Sequence, residues 1–492
     1  MTRTDHRTPV IIGVGQAGDR PADPAHGLDP IALMEAALRV ADTDAGGGWL
    51  SRLESLGVVR QVSFPDLGDP APELARRFGA MPAQCATSSY PGGDTPVAML
   101  HAAAQAIAAG DIQVAAVVGG EALRTAAARH ASDPMRDVAV HRPRSLAHRY
   151  GLVAPVDVYP LYENATRAAW GQTLVEAQAE SGAIWSLMSD VAADNPHAWI
   201  RRRYNAVEIV TPSPANRPIA WPYTKLTVAN SAVNQGAGFL VASLAAAREA
   251  GIPEHRLVHV GAGAAAGEPA DYLRRDRYDR STSMTASLTG ALDANGLTTA
   301  DLDAVELYSC FPCVPKMARR ILGWPVDRPA TLVGGLTFGG GPIGNYMSHA
   351  VARAVERLRA QGRHALLFAN GGYLTKNHTI LLTRERPEPA TVLQRADRQA
   401  EAEAMRDPVP PLLEDYAGPG TIETYTVLYA RSGEPRFGVV VARTPARERF
   451  LAKVPPDDAA GIAFLAGERE PVGSPGMAVR GDDEVVWTAS PR

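Results

Sequence analysis

One arrangement occurs twice in this chain and constrains its fold more than any other feature. A glycine turn leads into a helix-forming stretch, then a glycine, a short apolar strand and a glycine pair. The first copy begins near Gly92, with PGGDTP at 91–96, VAMLHAAAQAIAA, Gly110, QVAAVV, then Gly119 and Gly120. The second begins near Gly339, inside GGLTFGGGPIGNYMSHA at 334–350, and continues through a helix over 348–361, Gly362, HALLFA, then Gly371 and Gly372. That second turn holds six glycines in seventeen residues. A glycine-dense turn at a helix N-terminus lets backbone approach a ligand closely and points free N–H groups at it. The copies lie too far apart for a solenoid repeat. They predict a duplicated α/β domain whose two turns face one another across a single pocket.

The rest of the chain fits around these copies. Residues 8–15 (TPVIIGVG) form a β-branched run suited to a buried strand. Asp29 before Pro30 supplies a cap and a first-turn proline for the helix IALMEAALRVA. A strand over 53–61 and a helix over 71–79 continue a βαβα order, so helices are expected to cover a parallel or mixed sheet. Residues 122–228 are richer in Arg, Trp, Tyr and Pro and read as a large insertion. A strand over 257–264, a helix over 283–295, a strand over 304–307 and a helix over 315–322 lead to the second copy. The halves are placed at 1–240 and 241–383. Residues 384–411 are charged and Pro-rich, a linker or surface helix. Residues 412–492 alternate in the strand manner and predict a small separate β-domain.

With 492 residues the chain can bury a core of more than one domain. A net charge of -4 without a basic stripe argues against nucleic acid as partner. No apolar run reaches about eighteen residues, so no membrane span is expected. The segment MTRTDHRTP lacks the apolar region of an export signal. Three cysteines, Cys85, Cys310 and Cys313, suit a reducing, cytoplasmic compartment rather than a disulfide framework. Cys310 and Cys313 form a CxxC without further ligands nearby, so no metal site is predicted.

Four segments carry a resemblance to a known family: NQGAGFLV at 234–241, VELYSCFP at 305–312, GGLTFGGGPIGN at 334–345 and ANGGYLTK at 369–376. Through them residues 5–383 resemble the thiolase superfamily, close to the sterol-carrier-protein type and to proteins described as acetyl-CoA acetyltransferase. The resemblance implies two βαβαβαββ halves in α-β-α-β-α layers, an inserted loop domain, and an acyltransferase that handles acyl-CoA in lipid metabolism. CoA or acyl-CoA would be substrate, with no tightly bound cofactor, and the fold usually dimerises. The β-rich tail resembles the OB-like extra domain of a thiolase-like subgroup.

Carried over residue by residue, the resemblance also exposes what is missing. The family's nucleophilic Cys falls on Gly93, the His of its GHPxG motif on Gly341, and its acid/base Cys on Ala369. Glycine and alanine neither form an acyl-enzyme nor move a proton, so ordinary thiolase turnover is not expected. Tyr308 opens the fourth motif, Tyr346 follows the second glycine turn and Tyr373 follows the third motif. These three tyrosines, with His349, are the catalytic candidates. Some thiolase-fold aldolases that lack the Cys resemble this pattern, using tyrosines for retro-aldol cleavage of a 3-hydroxyacyl-CoA beside an OB-type partner. Gly92, Asp94, Gly340, Gly344, Asn345, Asn370 and Gly371 are expected to shape the substrate site, and Arg202, in the run 201–203, to meet the CoA nucleotide. Cys85, Lys376, Asn377 and His378 are weaker candidates, each with an ordinary structural explanation. A non-catalytic protein that binds acyl-CoA or a partner stands as the competing expectation.

Overall fold

The computed structural model describes residues 2, 4–129, 145–481 and 484–489; residues 130–144 of the predicted insertion lie outside the described residues. The first half runs β1 (Pro9–Gly18), α1 (Pro30–Asp44), β2 (Ser55–Val58), α2 (Pro70–Phe78), β3 (Gln84–Thr87), α3 (Thr95–Ala109) and β4 (Val114–Ala122). The insertion follows, with α4 (Pro155–Ala169), α5 (Leu174–Asp194) and a hairpin of β5 (Pro218–Ala220) and β6 (Tyr223–Thr224). The strand β7 (Asn234–Ser243) closes the half. The second half runs β8 (Val258–Gly267), α6 (Thr282–Ala294), β9 (Ala304–Leu307), α7 (Cys313–Leu322), α8 (Tyr346–Ala360), β10 (His364–Gly371) and β11 (Lys376–Thr383).

The duplication is visible in the hydrogen-bond ladders. The strand order is β3-β2-β4-β7-β1-β8-β11-β10-β9, so the sheet reads alike from its centre outwards. β2 runs parallel to β4, and β4–β7–β1 are antiparallel. In the second half β9 runs parallel to β10, and β10–β11–β8 are antiparallel. Within the sheet the two halves join where Val10 and Ile11 of β1 pair with His259 and Val258 of β8. Where the first half has β3, the second has a loop with a wide π-type turn at Gly335–Gly339.

Local chemistry explains the helices. The Asp29 carboxylate accepts from the Ala32 amide at 2.8 Å and Pro30 opens α1. Ile31, Met34, Leu38 and Ala41 then form a helical stripe buried with Val10 and Ile12 of β1. Val97, Leu100, Ala104 and Ile107 of α3 pack on the other side with Ile11, Val14 and Phe239. α3 and α8 pack against one another between the halves, which produces the α-β-α-β-α layering.

The tail forms β12 (Gly418–Tyr429), β13 (Pro435–Arg443), β14 (Arg449–Val454), β15 (Pro475–Arg480) and β16 (Val485–Ala489). β12 pairs with both β15 and β13, which closes a five-stranded barrel. The barrel is fused to the body rather than standing apart. Leu428 of β12 pairs with Ala220 of the insertion hairpin, and Tyr425, Val440 and Phe450 share one core with Tyr159 and Tyr162 of α4. Arg449, fully buried, grips Glu423 and donates to the Leu273 and Arg275 carbonyls, each at 2.6 Å. The stretch 384–411 is likewise packed down, with Ala265 of β8 exchanging hydrogen bonds with Ala396 and Arg398. Among the described residues no helix is long and apolar enough to cross a membrane.

Candidate functional site

The two glycine turns meet. A β-carbon on Gly344 would lie 3.0 Å from the Pro91 carbonyl carbon and 3.2 Å from the Gly92 oxygen, a fit that only glycine allows without displacement. Beside this contact opens a mainly apolar cavity of about 500 Å³. Gly93 lines it from the first turn and Gly341 and Ile343 from the second. Tyr308, Cys310 and Phe311 enter from the end of β9, and Asn370, Gly371, Gly372 and Tyr373 from the end of β10. The insertion supplies the remaining wall, chiefly Val153, Pro155, Tyr159 and Ile219. Among the described residues, none from the barrel lines the cavity.

Tyr308 is the centre of this arrangement. A β-carbon on Gly93 would overlap the Tyr308 hydroxyl, with the Asn370 carbonyl oxygen close behind. The phenol therefore fills the side-chain space of Gly93. Among the described residues that hydroxyl has no hydrogen-bond partner, and burial holds it well above the ordinary phenol range. It is thus a neutral donor rather than a phenolate. The Gly93 amide likewise has no acceptor among the described residues. A neutral hydroxyl donor in the cavity beside the start of α3 suits a carbonyl oxygen that gains negative charge.

The neighbouring polar groups are mostly committed. The Tyr159 hydroxyl donates to Asn370 Oδ1 at 2.9 Å and accepts from the Leu374 amide at 3.0 Å. Asn370 Nδ2 donates to Asn377 Oδ1 at 3.0 Å. The Tyr373 hydroxyl donates to the Val153 carbonyl at 2.9 Å. Asp94 precedes α3 but makes no side-chain cap; its carboxylate accepts from the Tyr90 hydroxyl at 2.5 Å. Its Oδ1 is buried without a partner and presses on Gly371, leaving no room there for a β-carbon. Burial raises the Asp94 carboxyl above its usual range, against the opposing effect of Tyr90 and Lys376. The Lys376 ammonium sits 3.2 Å from the Tyr90 ring centroid. His378 Nε2 lies 2.9 Å from His101 Nδ1, and burial lowers both imidazoles, to about 3 and about 4.

Several sequence candidates do not reach the cavity. Tyr346 is fully buried and donates to Glu306 Oε1 at 2.7 Å, standing edge-on behind Tyr308 with ring centroids 5.8 Å apart. So two of the three tyrosines share the cavity and Tyr346 braces its wall. His349 turns to Gln16 Oε1 at 2.8 Å, and burial lowers it to about 3. Asn345 Nδ2 donates to the Gly119 carbonyl at 2.6 Å, tying the start of α8 to β4. Gly340 faces Gln235, and Ala369 is buried in β10 opposite His378. Gly92 lies under Tyr90 and Asp94. Arg202 pairs with Glu208 on the surface and stacks on Tyr204, away from the cavity lining. Cys85 lies on the edge strand β3, its thiol raised by burial, and burial pushes Cys310 up to about 12. Among the described residues no cluster of three His, Cys, Asp or Glu side chains is arranged to hold a metal. Tyr159 and Phe311, stacked at 4.4 Å, form a wall that the sequence reading missed. The signal for it was weak: Val158, Tyr159 and Tyr162 repeat at helical spacing inside a proline-rich insertion.

Comparison with known proteins follows from this geometry. Residues 400–484 match the additional C-terminal domain of thiolase-like protein type 1. A monomeric SCP2-thiolase-like protein type 1 from Mycobacterium smegmatis superposes with a TM-score of 0.82 at 30% identity, covering 99% of this chain and 100% of that one. An Ltp2–ChsH2(DUF35) aldolase gives 0.60 at 18% identity over 78% of this chain and 100% of that chain. Human mitochondrial 3-ketoacyl-CoA thiolase in complex with CoA gives 0.58 at 15% identity, over 77% and 98%. The last two likenesses concern the fold alone. None of the curated proteins matches the chain significantly.

Proposed function

Because the chain belongs to the SCP2-thiolase-like proteins of type 1, we propose that its cavity takes the acyl end of an acyl-CoA thioester and makes or breaks a carbon–carbon bond beside it. No covalent acyl-enzyme is involved in this reading, since Gly93, Gly341 and Ala369 offer neither nucleophile nor base. The observation that carries the reading is the neutral Tyr308 hydroxyl standing in the side-chain space of Gly93 at the start of α3. From there it would donate to the thioester oxygen as an enolate develops. Retro-aldol cleavage suits such a site better than a Claisen exchange, which needs a thiolate. A 3-hydroxyacyl thioester would part at C2–C3 into an aldehyde or ketone and a shorter acyl thioester. The proton lost from the 3-hydroxyl is balanced by the one gained at C2. A solved neighbour described as an aldolase carries its DUF35 chain as a partner; here a barrel is fused in the same chain.

A second reading, binding without turnover, is favoured by one observation. Tyr159 and Tyr373 both spend their hydroxyls on protein acceptors, so neither is free to serve as a base beside Tyr308. Incubation with 3-hydroxyacyl-CoA and 3-ketoacyl-CoA separates the two. Release of free carbonyl product plus a shorter acyl-CoA, abolished in Tyr308→Phe, supports catalysis. Tight binding without product, unchanged by Tyr308→Phe, favours the binding protein. Neither binding nor turnover would end the thioester assignment.

A further inference from the structure

Among the described residues that line the cavity, the titratable side chains are Tyr159, Tyr308, Tyr373, Cys310 and His148. Burial holds Tyr159 and Tyr308 well above the ordinary phenol range and pushes the Cys310 thiol up to about 12. The Tyr373 hydroxyl is given to the Val153 carbonyl. A neutral phenol or thiol is a poor proton acceptor, whereas a neutral imidazole accepts a proton near neutral pH.

His148 is half-buried, on the short helical turn Leu146–Arg149 of the insertion. Its Nδ1 lies 2.7 Å from Ser145 Oγ, which also accepts from the His148 amide at 3.4 Å. With Oγ in the accepting role, Nδ1 carries the ring proton and Nε2 keeps its lone pair. Nε2 is shielded from bulk water and has no partner among the described residues. A shielded acceptor left open in this way is costly unless a ligand comes to use it.

The segment that carries His148 is fixed on both sides. Tyr272 donates to the Leu152 carbonyl at 2.9 Å, and Tyr373 to the carbonyl that follows. From the barrel, the Val485 amide of β16 donates to the Tyr150 hydroxyl at 3.0 Å. Phe437 of β13 lies against Gly151, 2.6 Å from where a β-carbon would stand. The barrel thus reaches the cavity through the turn on which His148 stands. Charged groups around this turn are paired: Arg149 with Glu414 and Asp415, and Glu484 with Lys453. Asp157 accepts from the Val153 and Ala154 amides.

We propose that His148 is the general base of the cavity and so a catalytic residue, oriented by Ser145 and held in place by the barrel. This role rests on the carbon–carbon cleavage proposed above. As the C2–C3 bond of a 3-hydroxyacyl thioester breaks, the imidazole takes the 3-hydroxyl proton and C3 becomes the carbonyl carbon. The bonding pair passes to C2 as the thioester enolate, whose oxygen receives the Tyr308 hydrogen bond. The imidazolium then returns the proton to C2.

The pH dependence of 3-hydroxyacyl-CoA cleavage tests the base. A saturated acyl-CoA, which cannot be cleaved in this way, reports an intact site in each variant. Wild-type kcat/KM should fall on the acid side, where a protonated imidazole accepts nothing. His148→Gln should lose about a hundredfold or more in turnover, lose the acid limb and keep its affinity for the saturated acyl-CoA. Ser145→Ala, in which the imidazole remains, should lose about tenfold and keep the limb. Full activity in His148→Gln, or an acid limb that survives in it, overturns the base and leaves the cleavage reading standing. Loss of saturated acyl-CoA affinity together with turnover makes His148 a wall residue and likewise overturns its role as base. A wild type that does not cleave overturns the cleavage reading and the base with it.

Discussion

The hydroxyl of Tyr308 stands where a β-carbon on Gly93 would lie, so the two residues cannot both carry bulk at that point. Gly93 belongs to the first half of the chain and Tyr308 to the second, so one half fills side-chain space beside the backbone of the other.

Gly93→Ala is therefore expected to destabilise the protein by about 1–3 kcal/mol through overpacking. Tyr308→Ala empties that volume, so the double variant should cost at least about 1 kcal/mol less than the sum of the single changes. Urea denaturation of the four proteins measures this coupling. Additive costs would mean that the two residues do not compete for space. Gly93→Cys should give no thiolase activity, because the thiol would enter an occupied site.

Tyr308→Phe keeps the ring edge-on to Tyr346 and removes only a hydroxyl that has no partner among the described residues. Stability should change by less than about 1 kcal/mol. Turnover of a 3-hydroxyacyl-CoA should fall roughly a hundredfold with little change in binding. A large fall in affinity with unchanged turnover would assign the hydroxyl to ground-state binding.

His101 and His378 are buried neutral, lowered by desolvation to about 4 and about 3 from an ordinary 6.5. Their folded values lie below the unfolded one, so the unfolded chain binds more protons in that window. Stability is then complete above about pH 6.5 and is lost as pH falls toward 4, by roughly 3 kcal/mol for each group taken alone. The double variant His101→Gln/His378→Gln should flatten the slope of unfolding free energy between those values. His349 and His259 are lowered too and should leave part of it. An unchanged slope would remove the pair from acid unfolding.

Arg449 reaches from the barrel to the Leu273 and Arg275 carbonyls, and Arg275 in turn donates to the Leu374 carbonyl at 3.1 Å. Arg449→Leu leaves Glu423 with Arg443 alone and deprives the Leu273 and Arg275 carbonyls of their donor, and should cost about 1–3 kcal/mol. Faster amide exchange at 371–375, the turn beside the cavity, should accompany the loss. Exchange confined to the barrel would show that the barrel does not support the site.

The duplicated halves were legible because glycine turns, caps and apolar strands act within a few residues. Asp29 caps α1 as its spacing implies, and the two turns fall beside one cavity. Asp94 shows the limit: its carboxylate met Tyr90, and the cap that its position suggests did not form.

The sequence by itself determined the two-fold α/β plan and that positions 93, 341 and 369 hold glycine, glycine and alanine. Those are local facts of composition and order. Only the tertiary structure decided that Tyr308 faces the cavity while Tyr346 turns to Glu306, and that Asn345 ties the two halves together. Each of these depends on a partner far away in the chain. A side chain's chemistry is set by which distant groups desolvate it or satisfy it, and no local spacing records that.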